Sequence, residues 1–282
     1  MDILIDLINK SSILKLEENI GKGTFLNEMS ERNKQMKKTK VWAHRGASGY
    51  APENTLVAFK KAVEMGADGI ELDVQMTKDG QLVIIHDETV DRVSDGKGWV
   101  KDFTYEELSK LNVNKRFPEY GNVRIPTLEE VYSLIKDTGL TVNVELKNTV
   151  IFYKDLEERV MELTRKMGLD KRIIYSSFNH FSIMKLKELD PAVETGFLYE
   201  YGFLDMPEYA SKYHVDALHP ALYNLQYPNF IEDCRSRGIK LRVWTVNDVD
   251  DMIMLCENEL DAMITNYPDI GRKVVDDYVR RG

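Results

Sequence analysis

Cysteine is nearly absent: Cys234 and Cys256 are the only two in 282 residues. That is too few for a disulfide framework and suits a reducing compartment. Long apolar runs are missing too, so no bilayer-spanning segment is expected. The opening "MDILIDLINKSSILKLEENIGKG" carries Asp2 and Asp6 where a secretory leader carries positive charge. The cytoplasm is therefore the expected location. Positive charge is in deficit, with 38 Lys and Arg against 47 Asp and Glu and a net charge of −9. That balance argues against long polyanions, and no nucleic-acid partner is expected. Any phosphate handled by this chain has to be met by local basic groups or by a metal.

What the sequence has is alternation. A hydrophobic fraction of 43% is ample for a large core. From Val41 onward, strand-like runs occur at "KVWAH", "GIELDVQ", "VNVELK", "RIIYSS", "ETGFLY", "DALHP", "KLRVWTV" and "DAMITN". Helical patterns fall between most of them, at 55–65, 128–137, 153–167, 180–189, 230–237 and 249–258. Eight strand candidates with interleaved helices predict an α/β fold, a (β/α)8 TIM barrel over residues 39–282. Thr127 and Glu130 form a capping box after Pro126, while Gly66, Gly139, Gly168 and Gly238 fall where helices should stop. Some fifty residues separate the second strand from the Thr127 cap, far more than a strand–helix step needs. A small insertion after the second strand, at about 87–124, accounts for them, and its position predicts that it covers the barrel mouth and limits substrate size. Residues 1–38 stand apart as an N-terminal extension. Their short, acid-bearing apolar face reads as one or two helices packing on the domain rather than a dimerisation arm or membrane anchor.

Barrels collect functional groups at the C-terminal ends of their strands. The first strand ends at His44-Arg45. The second carries Glu71 and Asp73, two apart and so on one side. The run "LVII" ends at His86-Asp87, and "VNVELK" places Glu145 and Lys147 on one side. Three carboxylates in one low-dielectric site repel unless a cation lies among them. Their all-oxygen chemistry suits one hard divalent cation, Ca2+ or Mg2+. The alternative is an ion-pair network with Arg45 and Lys147. Two convergent imidazoles, His44 and His86, can serve as base and acid near neutral pH. His180 and His214 read as structural or surface residues, and His219 as a residue of the site rim.

The stretches "HRGASGYAPENT", "GADGIELDVQMTKDGQLVIIHDETVDRVSDGKG", "IPTLEEV" and "VNVELK" resemble the glycerophosphodiester phosphodiesterase family, as do "SSF", "VWTVN" and "DAMITNYPD". The resemblance spans about 40–280 and implies a TIM barrel with an insertion after the second strand. It further implies one divalent cation held at Glu71, Asp73 and Glu145, catalytic histidines at His44 and His86, and phosphate contacts from Arg45 and Lys147. Glu53 and Asn54 would order the first loop and cap the helix. The implied reaction is hydrolysis of a small-molecule glycerophosphodiester to sn-glycerol 3-phosphate and an alcohol. A phospholipase D-like relative acting on lysophospholipids would share this site and want an apolar groove, which Trp99, Phe103, Phe117 and Phe203 could line. A non-catalytic glycerophosphodiester-binding protein is the other alternative, disfavoured by the intact histidine pair. A homo-oligomer is compatible with all of this.

Overall fold

The computed structural model describes residues 38–281; the expectation for the N-terminal extension falls almost wholly on residues outside that range. Eight parallel strands close into a barrel: β1 (Lys40–His44), β2 (Gly69–Met76), β4 (Thr141–Leu146), β5 (Ile173–Ser177), β6 (Glu194–Tyr199), β7 (Ala217–Pro220), β8 (Lys240–Val243) and β9 (Ala262–Thr265). Their order is β1-β9-β8-β7-β6-β5-β4-β2, and pairing of β1 with β2 completes the ring. The helices are α1 (Leu56–Glu64), α2 (Tyr105–Leu108), α3 (Leu128–Ile135), α4 (Leu156–Lys166), α5 (His180–Leu189), α6 (Met206–Lys212), α7 (Phe230–Ser236), α8 (Val249–Glu257) and α9 (Pro268–Arg281).

Strand periodicity sets the layers. On β2, Ile70, Leu72 and Val74 are fully buried in the main core with Phe59 of α1 and Leu128 and Val131 of α3. The alternate residues Glu71, Asp73 and Gln75 therefore face the other way, into the barrel. The Thr127–Glu130 capping box starts α3, and Gly66, Gly168 and Gly238 take positive φ after α1, α4 and α7. Gly139 does not. The helix before it stops at Ile135, whose carbonyl accepts a hydrogen bond from Thr138 Oγ1 at 2.7 Å. Three helices were not legible: α2 is a single turn inside the insertion, α6 is only one short element opening on Met206-Pro207, and the pattern of α9 is dominated by charge. α4 begins at Leu156, later than its pattern suggests, because Tyr153 is held in a loop by Asn148 Oδ1.

The long interval after β2 begins with β3 (Leu82–Ile84), an antiparallel hairpin partner of β2. Beyond it, Val90, Val100, Leu108, Val113, Val123 and Ile125 join Val83 and Ile85 in a second hydrophobic cluster, separate from the main core. The segment thus packs on its own small nucleus beside β2 and β3. Among the described residues no helix is long and apolar enough to cross a membrane.

Candidate active site

Parallel register lines up the polar residues. His44 at the end of β1 lies level with Glu71 on β2, and Asp73 lies level with Glu145 on β4. Oxygens of Glu71, Asp73 and Glu145 all fall within 4.8 Å of one another, and all three residues are buried. Such crowding has electrostatic consequences. Burial, then the neighbouring Asp73 and Glu145 charges, push the Glu71 carboxyl well above the usual range. Burial likewise raises Glu145, against the pull of Lys147. Burial also opposes ionisation of Asp73, but His86, Arg45 and Lys147 outweigh it and hold that carboxyl below the ordinary carboxylate range.

Both readings of the acidic cluster are partly realised. Lys147 Nζ sits 3.0 Å from Glu145 Oε1 and 3.8 Å from Asp73 Oδ1. Arg45 Nη1 reaches Glu53 at 3.0 Å, and its Nε faces Asp73 Oδ2 at 3.4 Å. Two basic side chains against three carboxylates still leave one acidic group in excess, and buried Asp73 Oδ1 has no hydrogen-bond partner among the described residues. A buried carboxylate oxygen without a hydrogen bond beside two more carboxylates is what a hard cation would satisfy, so the donor set fits a divalent ion.

The first loop is shaped to deliver Arg45. Its backbone N–H donates to Glu71 Oε2 at 2.9 Å, and its φ of 55° is left-handed. Gly46 follows at φ 78°, where a Cβ would meet Ala58 backbone at 2.7 Å, so only glycine lets the loop lie on α1. Asn54 does not cap that helix. Thr55 does, accepting from the Ala58 N–H, while Asn54 Nδ2 donates to Asp73 Oδ2 at 2.7 Å. Asn54 is part of the carboxylate cluster, and the shorter Thr hydroxyl next to it is the residue within reach of the helix N-terminus.

The two histidines are held differently. His44 Nδ1 lies 2.8 Å from Asn266 Oδ1, so with that amide oxygen accepting, Nδ1 carries the proton and Nε2 is open. Burial, reinforced by Arg45, lowers its pKa to about 4. His86 Nδ1 instead donates to the Asp87 carboxylate at 2.6 Å. Asp87 is itself gripped by Arg92, which also pairs with Glu53 and so returns to Arg45. Gln75, fully buried on β2, turns its Nε2 to the backbone carbonyls of Ile85, His86 and Asp87 at 3.0, 3.1 and 2.6 Å, and Tyr153 fixes its other end at 2.9 Å. The sequence reading missed Gln75, Arg92 and Asn266. For Gln75 a signal existed, since it shares the parity of Glu71 and Asp73 in "GIELDVQ".

A cavity of roughly 370 Å3 opens here, lined on one side by His44, Arg45, Glu71, His86, Glu145 and Lys147 and on the other by Phe178, Leu198, Trp244 and Ile264. No residue of the insertion lines it. The insertion braces the first loop instead, through Arg92 and through Tyr120, whose hydroxyl donates to the Tyr50 carbonyl at 2.8 Å. Nor do Trp99, Phe103, Phe117 or Phe203 form its apolar wall; Phe103 packs on the second cluster and Phe117 on Tyr120. His219 is not on the rim. It is fully buried within the barrel, packed over Gly196, and burial pushes its pKa well down. His180 stacks on Phe197 with ring centroids 4.0 Å apart, and His214 is an exposed turn residue.

Residues 44–270 match the Glycerophosphoryl diester phosphodiesterase family. A glycerophosphodiester phosphodiesterase of Caldanaerobacter subterraneus subsp. tengcongensis is 45% identical over 233 residues, covering 82% of this chain and 96% of that one. One from Bacillus subtilis is 35% identical over 256 residues, with 84% and 86% covered. Among solved structures, an Oleispira antarctica phosphodiesterase in complex with the product sn-glycerol-3-phosphate superposes with a TM-score of 0.76 at 30% identity, covering 85% of this chain and 97% of that one.

Proposed function

The chain belongs to the glycerophosphoryl diester phosphodiesterase family, and from that premise we propose that it hydrolyses glycerophosphodiesters to sn-glycerol 3-phosphate and an alcohol with a divalent cation and a histidine pair. The observation that carries this reading is the trio of buried carboxylates, Glu71, Asp73 and Glu145, set between His44 and His86 at the open end of the barrel. These three would hold the cation, with Mg2+ or Ca2+ favoured by an all-oxygen set. When bound there, the ion supplies positive charge to a phosphoryl oxygen and to glycerol hydroxyls.

The side chains take distinct parts. Arg45 and Lys147 face the cavity and offset the charge that develops on the phosphate. His44, neutral and with Nε2 open, accepts the proton of the attacking hydroxyl as its oxygen bonds to phosphorus. His86, backed by the Asp87 carboxylate, donates a proton to the departing alcohol oxygen as the opposite P–O bond breaks. Asp87 thereby orients the His86 ring, and Asn266 fixes the tautomer of His44. A cytoplasmic location completes the reading.

The test is direct. Purified protein is incubated with glycerophosphocholine, and released sn-glycerol 3-phosphate is followed with a coupled dehydrogenase, with Mg2+, Ca2+ or a chelator present. Release that stops with chelator and returns with either ion is the expected result. Binding without release in every condition would establish a binding protein instead. Choline release from lysophosphatidylcholine, leaving lysophosphatidic acid, in preference to the small diester would move the activity to the phospholipase D-like class.

A further inference from the structure

The apolar side of the active-site cavity has a single ionisable group, and it leads somewhere. Glu200, just past β6, lines the 370 Å3 cavity together with Phe178 and Trp244. Glu200 and Trp244 also line a second cavity of roughly 710 Å3, whose other walls include Leu222, Tyr223, Asp251 and Met254. The two spaces therefore meet at the Glu200–Trp244 lip. No lysine, arginine or histidine lines the second one. Neither Glu200 nor Asp251 has an ion-pair partner among the described residues, whereas Glu145 on the opposite wall is paired with Lys147.

The lip is also fixed in place. Trp244 Nε1 donates to the His219 carbonyl at 2.8 Å, and Phe178 meets the Trp244 ring edge-on at 5.6 Å. The buried amide of Asn224 donates to the Glu200 carbonyl at 2.7 Å, anchoring the backbone that carries the carboxylate. An aromatic face beside an unpaired carboxylate, with no competing basic side chain, recognises an ammonium group: the ring quadrupole attracts the cation and the carboxylate neutralises it. A free anion there repels a leaving group that is itself anionic.

We infer that the Glu200–Trp244 lip and the cavity beyond it are the leaving-group subsite, and that they select diesters whose alcohol carries a cationic ammonium, such as choline or ethanolamine esters. This inference rests on the diesterase reading given above. The glycerol phosphate half then lies on the carboxylate and histidine side, and the alcohol half on the aromatic side, with the scissile P–O bond between.

The experiment compares kcat/KM for glycerophosphocholine and for the uncharged glycerophosphoglycerol in wild type, Glu200→Gln and Trp244→Leu. Wild type should prefer the choline ester, and Glu200→Gln, which keeps volume and removes charge, should lower that preference by roughly tenfold. Trp244→Leu should lower it as well. Equal losses on both substrates, or no preference in wild type, would overturn the subsite while leaving the diesterase reading intact. Calorimetric Kd values for the two diesters in His86→Ala protein, with and without Glu200→Gln, read the same preference without turnover. A charge-dependent Kd ratio without any hydrolysis by wild type would uphold the subsite and sink the diesterase reading. An identical Kd for both diesters would sink the subsite alone.

Discussion

Two charge clusters, one buried and one half-buried, occupy opposite ends of the barrel, and they have opposite balances. At the end where strands begin, Glu194 of β6 accepts from Lys240 Nζ at 2.7 Å and from Arg242, and Arg242 also lies over the Trp42 ring at 5.1 Å. One carboxylate there meets two basic groups. Burial opposes ionisation of Glu194, but Arg242 and Lys240 win and its pKa falls. At the end where strands finish, three carboxylates meet two basic groups, Glu71 is pushed up rather than down, and Asp73 Oδ1 has no hydrogen bond among the described residues. A cavity does not separate the two, because roughly 520 Å3 opens at the Glu194 end as well. The sign of the uncompensated charge and the histidines beside it separate them. Burying charge identifies neither a site nor a scaffold; the residual charge after local pairing does.

The comparison can be broken by substitution at each end. The largest effect is expected from His86→Ala, which removes the proposed proton donor without touching the carboxylates: turnover should fall about a hundredfold or more at any metal concentration. Metal affinity by calorimetry should stay at the wild-type value, and a lost ion would make His86 a ligand. Glu71→Gln should do the reverse. Metal affinity should fall by at least roughly tenfold, with activity partly restored by excess Mg2+ or Ca2+ because mass action refills a weakened site. Wild-type affinity in that variant would remove Glu71 from the ion's ligands.

At the other end, Arg242→Met should cost about 1–3 kcal/mol of stability in denaturant titration. Its metal affinity and turnover should be unchanged, since Lys240 still pairs with Glu194 and no site residue touches Arg242. A lost ion in Arg242→Met would show the two clusters to be coupled. The smallest effect is a pH slope. With its folded pKa raised above the ordinary 4.5, Glu71 binds protons in the folded state that the unfolded chain has already released. Metal-free stability should therefore decline as pH rises above the ordinary carboxylate range. Saturating Mg2+ should flatten that decline, and thermal melts with chelator or metal across the range would measure it. A decline that persists in Glu71→Gln would assign the slope to another group.

Much of the site was legible because strand parity is strict. Glu71 and Asp73, or Glu145 and Lys147, two apart in a strand, have to share a face, and the parallel register then brings the faces together. His86 was legible as the polar end of an apolar run. What held it was not: Gln75 reaches three carbonyls ten to twelve residues away, and Arg92 reaches Glu53 across 39. Asn54 was misassigned for a similar reason, since a helix cap can be read from neighbours whereas a bond to Asp73 depends on where β2 lies. The apolar wall was sought in Trp99, Phe103, Phe117 and Phe203 and lies instead in Phe178, Leu198 and Trp244, which only the closed ring brings together at the ends of β5, β6 and β8.

By itself the sequence determined the barrel, the break after the second strand, and the set of carboxylates, histidines and basic groups aimed at one end, because periodicity and residue chemistry act over a few residues. Tertiary structure decided the rest: which histidine is dry and neutral and which is backed by a carboxylate, which lone pair stays empty, and that Glu200 stands alone among aromatics. Those outcomes depend on desolvation and on charges brought together from distant strands, and both quantities exist only once the ring has closed.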